Sequence, residues 1–512
     1  MVDVCGVLLP ITTIAFARAA PFGQSGATRK HLETMPRLSR RAFLAASAAF
    51  AAGPATGARA SASGGVDVVI VGAGAAGIAA ARRIATAGRT FALLEAADHV
   101  GGRCITDTRT FTVPYDRGAH RIHRPGTYPI AGLARPQRIE VYPAPPSQKV
   151  RVGRRYARQG ELEDFLTLQV SASRAIADAA RTADVVCEQV LPDNLDNWRP
   201  TVEFILGPFG CAKDLTQVSA VDFANSAKRD TDTFCRQGFG TLLAALAEGI
   251  AVHLSTPVIT VDTRRGVAVE TPKGTIAART AIVTVSTNMV AADSIKFIPD
   301  LSARQRDAFG KLALGSYDHV AFEFGGNALG LDSDDLVFEK ATSTHTAAIL
   351  ANVSGTSLSL IEVAGQFGRD LSAQGEAAMV DFAANWLAGL YGADVKKAIK
   401  RSHATRWNHD RWTLGAFSAA APGGQGARRI LMEPVRDAVW FAGEAVHETL
   451  WGTVGGAWVS GERAAEAVLR RLSGEKELGS ARIEKKAKRR SRHHRAPRRG
   501  RPPFGAAKRF QP

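Results

Sequence analysis

Apolar residues occur along this chain in short, nearly unbroken runs and in longer stretches with helical spacing. Val66–Val71 is apolar at every position but one, and Val439–Phe441 is a second short run that soon reaches a carboxylate. Runs of this kind predict buried strands. The first run is followed by an Ala-rich stretch that predicts a helix, and then by another strand ending at Glu95. Because strands and helices alternate, the predicted fold class is α/β.

Two segments in the interior of the chain predict a second sheet with its own helices. Strands are predicted over Val320–Phe324, Ala347–Val353 and Ser357–Val363, where apolar residues alternate or run together. Helices are predicted over Leu162–Leu191 and Glu376–Tyr391, where the apolar spacing is helical. We therefore expect a mixed sheet, backed by helices, to form one wall of a pocket.

The turn after the first strand contains Gly72, Gly74 and Gly77 in the order Gly-x-Gly-x-x-Gly. In this pattern the first Gly permits a tight turn, the second lets a diphosphate approach the backbone, and the third lets helix and strand pack closely. The diphosphate then lies at a helix N-terminus, where free N–H groups favour negative charge. Glu95, 18 residues after Gly77, can accept hydrogen bonds from ribose hydroxyls and would repel a 2′-phosphate. The pattern predicts a dinucleotide other than NADP.

Further motifs extend this cofactor prediction across most of the chain. They are Glu95–Arg103, which ends in Gly-Gly-Arg, then Tyr115–His120, Ser255–Ile259, Phe441–Glu444 and Gly452–Ala457. Together, over roughly Val66 to Leu472, the chain resembles the FAD-dependent amine oxidase family. That family includes monoamine and polyamine oxidases, L-amino-acid oxidases and the oxidase domains of histone demethylases. The resemblance implies a Rossmann-like FAD-binding domain interleaved with a substrate domain made of a mixed sheet and helices.

The resemblance also assigns residues to the cofactor. Glu95 would bind the adenosine ribose, Arg103 the pyrophosphate and ribityl chain, Val258 the adenine through its backbone, and Glu444 the ribityl hydroxyls. The full set of implied FAD contacts is Gly72, Gly74, Ala76, Gly77, Glu95, Gly102, Arg103, Gly118, Ala119, Val258, Gly443, Glu444, Thr453 and Val454. Ala416 stands where some relatives carry a flavin-linking Cys, so the FAD is expected to be noncovalent.

Two further segments would carry the chemistry, and both differ from the best-known family members. His319 stands where the family usually has a Lys that holds a water against flavin N5, so the Lys-dependent steps come into question. An imidazole can still hold a water or move a proton, although a structural role for His319 is the alternative. Phe417 matches one wall of an aromatic cage, whereas Thr453 stands at the other wall and is not aromatic. A second ring would have to come from Trp451 or Trp412.

From the resemblance we expect oxidation of an amine to an imine, which water hydrolyses to an aldehyde or ketone. The FAD would be reoxidised by molecular oxygen to give hydrogen peroxide, or by another electron acceptor. One alternative is a FAD-dependent desaturase or dehydrogenase of the carotenoid or porphyrinogen oxidoreductase type. The other is a catalytically silent flavin-binding protein.

Domain boundaries follow from the same motifs. The FAD-binding domain is expected to comprise residues 66–135, 219–299 and 404–472, and the substrate-binding domain residues 136–218 and 300–403. Residues 1–60 are expected to be a leader, and residues 474–512 an unstructured basic tail.

The net charge of +17 lies mainly in these two ends. The tail from Gly474 holds 14 Lys and Arg against 3 Glu, which no apolar period accompanies, so it is expected to be disordered. It could contact anionic polymers or lipid, and no specific nucleic acid is expected. The leader contains Ser39-Arg40-Arg41-Ala42-Phe43-Leu44, an apolar stretch and then Ala58-Arg59-Ala60. This order predicts export by the twin-arginine route to the periplasm or outside the cell, with Met35 as an alternative start.

Cysteine usage adds one open question. Cys104, Cys187, Cys211 and Cys235 would remain after removal of the leader, and an exported location permits disulfides. Four cysteines allow three pairings, which the sequence does not rank. No Cys or His spacing predicts a metal site.

Overall fold

Parallel strands with apolar side chains form the layer on which the Gly-rich turn stands. The computed structural model describes residues 65–123, 126, 129–145, 148–226 and 232–474. The predictions for the leader and for the basic tail lie outside these residues. All the described residues belong to one compact unit.

The strands, in chain order, are β1 (Val66–Val71), β2 (Phe91–Leu94), β3 (Thr106–Asp107), β4 (Tyr115–Asp116), β5 (Arg121–His123), β6 (Val141–Pro143), β7 (Gln148–Val152), β8 (Arg155–Tyr156), β9 (Asp232–Cys235), β10 (Val252–His253), β11 (Thr260–Asp262), β12 (Val267–Thr271), β13 (Gly274–Val283), β14 (Lys296–Ile298), β15 (Tyr317–Phe324), β16 (Leu336–Glu339), β17 (Ala348–Leu350), β18 (Leu358–Ala364), β19 (Ile399–Ala404) and β20 (Val439–Phe441).

The α-helices are α1 (Ala75–Thr86), α2 (Pro129–Gly132), α3 (Gln159–Ala179), α4 (Arg199–Phe204), α5 (Ala220–Asn225), α6 (Phe239–Ala247), α7 (Thr287–Ala291), α8 (Ala303–Lys311), α9 (Gly365–Ala373), α10 (Glu376–Tyr391), α11 (Val395–Ala398), α12 (Ala427–Met432) and α13 (Val454–Leu472). Within the described residues, none of these helices combines the length and the apolar character that a membrane span requires.

The first large sheet has the strand order β10-β2-β1-β13-β12-β11-β14, and β20 also pairs with β13. The β10, β2, β1, β13 and β20 strands are mutually parallel, whereas β12 is antiparallel to both of its neighbours. The carboxyl ends of parallel strands meet at one edge of a sheet, and ligands bind there in open α/β folds. This edge therefore brings together the turn after β1, Glu95 after β2 and Glu444 after β20.

The second large sheet has the order β19-β15-β18-β17-β16-β7-β8. Its pairs are antiparallel except for β16 with β7. Apolar residues of β15, β17 and β18 form a core with buried residues of α10, among them Met379, Ala383 and Leu387. The predicted mixed sheet with helices behind it is therefore present, and the α/β fold class is confirmed.

Single elements agree with the sequence patterns to different degrees. The helix predicted over Glu376–Tyr391 is α10 with the same bounds. The prediction over Leu162–Leu191 was wrong in its second half, because α3 ends at Ala179. Beyond it, the Cys187 N–H donates to the Val218 carbonyl at 3.0 Å, so backbone pairing with another segment replaces the helix. Cys104, Cys187, Cys211 and Cys235 are buried as free thiols.

Candidate functional site

The Gly-rich turn forms a tight strand-to-helix connection between β1 and α1. Gly72 has a φ of +101°, which L side chains rarely adopt, and a Cβ at Gly77 would lie 1.8 Å from the Gly72 carbonyl oxygen. A Cβ at Gly74 would instead have its nearest neighbours 3.9 Å away, at Gly101 and Gly102. Gly72 and Gly77 are therefore required by the protein itself, whereas Gly74 borders space that the protein leaves open.

The first turn of α1 offers hydrogen-bond donors to that space. Gly74 is the N-cap residue of the helix, and no side chain caps it. The first N–H groups of a helix have no partner within the helix and carry the positive end of its dipole. A diphosphate group fits this arrangement, because Gly74 leaves room and the helix supplies donors.

Glu95 lies at the end of β2 with its side chain 8 % exposed. Its carboxylate accepts hydrogen bonds from the Ala73 N–H at 2.6 Å and the Ala97 N–H at 2.9 Å. The Ser255 and Thr256 N–H groups donate to the carbonyls of Ala97 and Glu95, each at 2.8 Å. The segment that contains Val258, proposed for adenine, is thereby held beside the residue proposed for ribose.

Arg103 and Glu444, separated by 341 residues in the chain, form an ion pair with Nη1 3.0 Å from Oε1. The same Nη1 donates to the Ala416 carbonyl at 2.6 Å. Gly102, with a φ of +60°, makes the turn that precedes Arg103. The sequence assigns Arg103 and Glu444 to the cofactor separately, and the structure brings them into contact.

A buried hydrogen-bond network holds the Glu444 carboxylate in place. Ser418 donates its hydroxyl to Glu444 at 2.8 Å, and Arg428 donates to the Ser418 oxygen at 3.1 Å. The guanidinium of Arg428 also makes two 2.8 Å hydrogen bonds to Asp222. Sequence reasoning missed Ser418, Arg428 and Asp222, because no local motif connects residues so far apart in the chain.

Three of the assigned Gly and Ala positions mark close contacts between backbones. A Cβ at Gly118 would lie 2.1 Å from the Arg103 carbonyl oxygen. The Ala119 N–H donates to that same carbonyl at 3.1 Å. In α1, the Ala76 carbonyl oxygen would lie 2.1 Å from a Cβ at Gly461 of α13, so this position packs the two helices together. Contact of these residues with FAD stays a prediction.

Thr453 begins the last helix. Its hydroxyl accepts from the Gly456 N–H at 2.9 Å and donates to the Leu450 carbonyl at 2.7 Å, which makes it the N-cap of α13. Val454 is the first helical residue, and Gly443, with a φ of +141°, precedes Glu444. The capping role accounts for the Thr453 hydroxyl, and its position in a substrate cage stays a prediction.

Phe417 connects the Arg103–Glu444 pair to a group of aromatic side chains. Its chain neighbours Ala416 and Ser418 both bond to that pair, and its own ring lies 5.8 Å from the Tyr317 ring. The Tyr317 ring in turn lies 5.9 Å from His319. On its other side Tyr317 lies 6.0 Å from Phe209, a residue that the sequence analysis did not select.

His319 lies on β15 with 3 % of its surface exposed. Its Nδ1 is 3.3 Å from the Asp116 carbonyl oxygen, so Nδ1 carries the hydrogen and Nε2 has a free lone pair. Burial lowers the pKa of His319 to about 4. The imidazole is therefore neutral at neutral pH, a point that the sequence left open.

Glu362 and His120 complete this cluster. Glu362 is directly opposite His319 in the register of β18 and β15. Its Oε1 lies 3.9 Å from His319 Nε2 and 3.9 Å from His120 Nε2. Desolvation also lowers the pKa of His120 well below its usual range. The sequence placed His120 at the end of a motif without giving it a role, and Glu362 was missed, although the single carboxylate in the apolar run Leu358–Ala364 was a signal that could have found it.

A lysine of α8 and the two tryptophans considered for the second aromatic wall have partners of their own. The Lys311 Nζ lies 3.0 Å from Asp307 Oδ2, so this lysine forms an ion pair within α8. Trp451 is 1 % exposed, and the Arg428 guanidinium lies over its ring at 5.0 Å. Trp412 carries Arg411 over its ring at 4.2 Å. The ring of Phe417 pairs with that of Tyr317 instead.

A parallel sheet with a Gly-rich turn, acidic residues at its carboxyl edge and an adjoining cluster of aromatic side chains is typical of dinucleotide-dependent oxidoreductases. The chain belongs to the family of flavin containing amine oxidoreductases, whose sequence model matches residues 75–469. Membership confirms the resemblance seen in the sequence and implies a flavin cofactor. The Gly74 space, the uncapped α1 terminus and the buried carboxylates of Glu95 and Glu444 suit such a group.

Curated relatives match over most of the chain. Human lysine-specific histone demethylase 2 is 26% identical over 444 residues, which cover 78% of this chain and 53% of the demethylase. The chain thus spans about half the length of that relative. Polyamine oxidase 3 of Oryza sativa subsp. japonica is 24% identical over 443 residues, covering 78% of this chain and 88% of the oxidase.

Solved structures share the fold. Wild-type putrescine oxidase bound to putrescine has a TM-score of 0.67 and 20% identity, and the match covers 79% of this chain and 99% of that one. Cyclohexylamine oxidase from Brevibacterium oxydans has a TM-score of 0.66 and 20% identity, covering 80% and 100%.

Proposed function

We propose that this protein oxidises an amine to an imine with a noncovalently bound FAD. Water then hydrolyses the imine to an aldehyde or ketone. When bound, the flavin would accept the hydride, and the protein would position the substrate and exclude water. Similarity to polyamine, putrescine and cyclohexylamine oxidases supports an amine as the substrate.

Different residues would bind the flavin and the amine substrate. Gly74 and the first turn of α1 would hold the diphosphate, Glu95 the ribose, and Arg103 with Glu444 the ribityl chain. Phe417 and Tyr317 offer aromatic faces to an alkyl or aryl group. His319 Nε2 carries the lone pair of the neutral ring and can accept a hydrogen bond from the amine.

One observation carries this proposal. Ala416 and Ser418, on either side of Phe417, are hydrogen-bonded to Arg103 and Glu444 respectively. The ring of Phe417 itself contacts Tyr317. The predicted cofactor site and these aromatic side chains are therefore adjacent. Anaerobic mixing of the purified protein with polyamines, aromatic monoamines and amino acids tests it. At least one amine should remove the visible absorbance of the oxidised flavin, and reduction by none of them would reject amine oxidation.

The electron acceptor is a separate part of the proposal. Molecular oxygen, giving hydrogen peroxide, is the acceptor implied by the family resemblance. The neutral His319 favours a second candidate, a dehydrogenase that uses another acceptor. One-electron reduction of oxygen forms an anion, and His319 offers it no positive charge, whereas a Lys at this position would. Rates of reoxidation by oxygen and by an artificial dye acceptor, compared in one preparation, separate the two.

We also propose export by the twin-arginine route, so that the enzyme folds around FAD before it crosses the membrane. This proposal is supported by the Arg40-Arg41 pair and the apolar stretch and Ala-x-Ala that follow it. Changing both arginines to Lys should keep the precursor in the cytoplasm. Normal export of that variant would reject the proposal.

A further inference from the structure

Three aromatic rings in contact form an apolar face beside the predicted cofactor site. The ring of Tyr317 lies 5.8 Å from that of Phe417 and 6.0 Å from that of Phe209. All three residues are half-buried and keep part of their surface exposed, whereas His319, which also contacts Tyr317, is buried. We call Phe209, Tyr317 and Phe417 the aromatic face. Because its members touch one another and each reaches solvent, the aromatic face borders space that a substrate can enter.

The Glu362 carboxylate next to the aromatic face already has partners within the protein. It accepts a hydrogen bond from the Tyr317 hydroxyl, and its Oε1 lies 3.8 Å from Arg121 Nη2. Desolvation, and then the nearby carboxylate, hold the pKa of the Tyr317 hydroxyl well above its usual value. The hydroxyl therefore keeps its proton and donates it to Glu362. This carboxylate is engaged by one hydroxyl and one guanidinium before any substrate binds.

Arg121 supplies the opposite charge at the edge of the aromatic face. Its guanidinium carbon lies 6.0 Å from the centre of the Phe209 ring and 5.6 Å from that of the Phe234 ring. Among the described residues, Glu362 and Arg121 are the charged groups that act on the Tyr317 hydroxyl. One negative and one positive charge 3.8 Å apart offset each other. The pair therefore contributes no net charge to the space beside the rings.

A substrate that carried a second charge would disturb this balance. A second ammonium would be repelled by Arg121, and a carboxylate would be repelled by Glu362. Either group would have to separate the buried ion pair or remain without a partner of its own, and both alternatives are costly. An uncharged apolar group meets no such cost, and it gains free energy by covering the exposed parts of the three rings.

We propose that the part of the substrate beyond its reacting amino group is uncharged and apolar and binds on the aromatic face. The Arg121–Glu362 pair excludes a second charge of either sign. The substrate class is then apolar monoamines, and diamines, polyamines and amino acids fall outside it. This inference rests on the proposed amine oxidation and narrows it. Polyamines and putrescine, for which two of the similar oxidases are named, would be poor substrates here.

The test compares three amines that share a chain of five methylene groups. Hexan-1-amine ends in a methyl group, pentane-1,5-diamine in an ammonium and 6-aminohexanoate in a carboxylate. Each is mixed anaerobically with the holoenzyme at low concentration, and its affinity is measured by calorimetric titration. Hexan-1-amine should bind at least about 10-fold more tightly, and reduce the flavin at least about 10-fold faster, than either charged analogue. Equal values for all three amines, or a preference for a charged analogue, would overturn the inference.

Chain length tests the apolar contact by itself. From propan-1-amine to hexan-1-amine, each added methylene group should raise the affinity by about 3-fold, because it covers more of the aromatic face. An affinity that does not change with chain length would contradict binding on these rings.

Variants of the ion pair should shift the preference in opposite directions. Arg121→Gln leaves the Glu362 carboxylate without its cation, so the preference for hexan-1-amine over the diamine should fall below about 3-fold. Glu362→Gln still accepts from Tyr317 through its amide oxygen but leaves Arg121 without its anion. The preference over 6-aminohexanoate should then fall below about 3-fold, whereas the preference over the diamine should remain.

The exposed Arg304–Glu433 ion pair provides matched controls, since Arg304→Gln and Glu433→Gln should keep both preferences. Preferences that survive in Arg121→Gln and Glu362→Gln alike would overturn the role of the buried pair. If a variant does not fold, the wild-type series alone still decides.

Failure of the inference can be told from failure of the proposed function. If the monoamine, the diamine and the amino acid reduce the flavin equally fast, amine oxidation holds and the substrate class is wrong. If no amine reduces it, amine oxidation itself is wrong, whereas the calorimetric titrations still report whether the site prefers an apolar monoamine.

Discussion

His319 and Glu362 face each other across two antiparallel strands, with His319 Nε2 3.9 Å from Glu362 Oε1. A neutral imidazole and a carboxylate thus occupy the position where the family resemblance leads one to expect a Lys. Compared with a Lys ammonium on a flexible side chain, the His319 ring and the Glu362 carboxylate provide hydrogen-bond acceptors on two paired strands. The site therefore differs from one with a Lys both in its charge and in its hydrogen-bonding groups.

The glycines of the turn after β1 should separate cofactor binding from folding. Gly74→Ala has room for its Cβ and a φ of −77°, so the protein should fold but bind FAD at least about 10-fold more weakly. Gly77→Ala would place a Cβ 1.8 Å from the Gly72 oxygen and should abolish soluble protein. Flavin fluorescence titration and thermal unfolding measure both effects. Unchanged FAD affinity in Gly74→Ala would contradict the assigned diphosphate site.

Removal of the Glu444 carboxylate should affect both stability and FAD affinity. Glu444→Ala leaves Arg103 with the Ala416 carbonyl as its remaining acceptor and removes the acceptor of the Ser418 hydroxyl, which should cost roughly 1–3 kcal/mol of unfolding free energy. FAD should bind at least about 10-fold more weakly, as it should for Glu95→Ala. The exposed Arg304–Glu433 pair is the control, because Glu433→Gln should change stability by less than about 1 kcal/mol. Wild-type FAD affinity in a Glu95→Ala, Glu444→Ala double variant would reject both contacts.

Sequence patterns predicted those site residues that lie at the end of a predicted strand. Glu95 and Glu444 each come directly after a short apolar run, so their shared edge followed from parallel pairing. The contact of Glu362 with His319 depends on the register of β15 with β18, which period-two patterns do not determine. Likewise, the Asp222–Arg428–Ser418 network joins residues from distant segments, and only tertiary packing brings them together. His120 lies in one of the motifs that resemble the flavin-binding family, but the sequence does not show that Glu362 lies beside it.

The pH dependence of stability should reveal the neutral His319. Its pKa is about 4 in the folded protein and 6.5 when unperturbed, so the unfolded chain binds a proton first as pH falls. The contribution of His319 to stability is therefore constant above about pH 6.5 and decreases as pH falls from about 6.5 to 4, by up to about 3 kcal/mol. His319→Gln, which does not titrate, should lose correspondingly less stability over that range in urea unfolding. An identical loss in variant and wild type would mean that His319 titrates normally.

Asp318 should have the opposite effect. Desolvation raises the pKa of its carboxyl to about 7, and its Oδ2 has no hydrogen-bond partner among the described residues. The folded state holds this proton while the unfolded chain releases it near pH 3.8. The contribution of Asp318 to stability therefore decreases as pH rises from about 4 to 7. Asp318→Asn can still accept from Thr405 and Trp407 through Oδ1. Its stability relative to wild type should increase by about 2–3 kcal/mol between pH 5 and 8. A constant difference would refute the raised pKa.

The most direct test of amine oxidation by a bound FAD is a single anaerobic experiment on the purified protein. The protein is mixed with a primary amine in the absence of oxygen, the flavin absorbance is followed, and the cofactor is then released by denaturation and identified. We predict that the absorbance of oxidised flavin is lost, that aldehyde or ketone forms in an amount equal to the flavin, and that the released cofactor is FAD. A flavin that stays oxidised with every primary, secondary and tertiary amine tested, or a released cofactor other than FAD, would contradict the account.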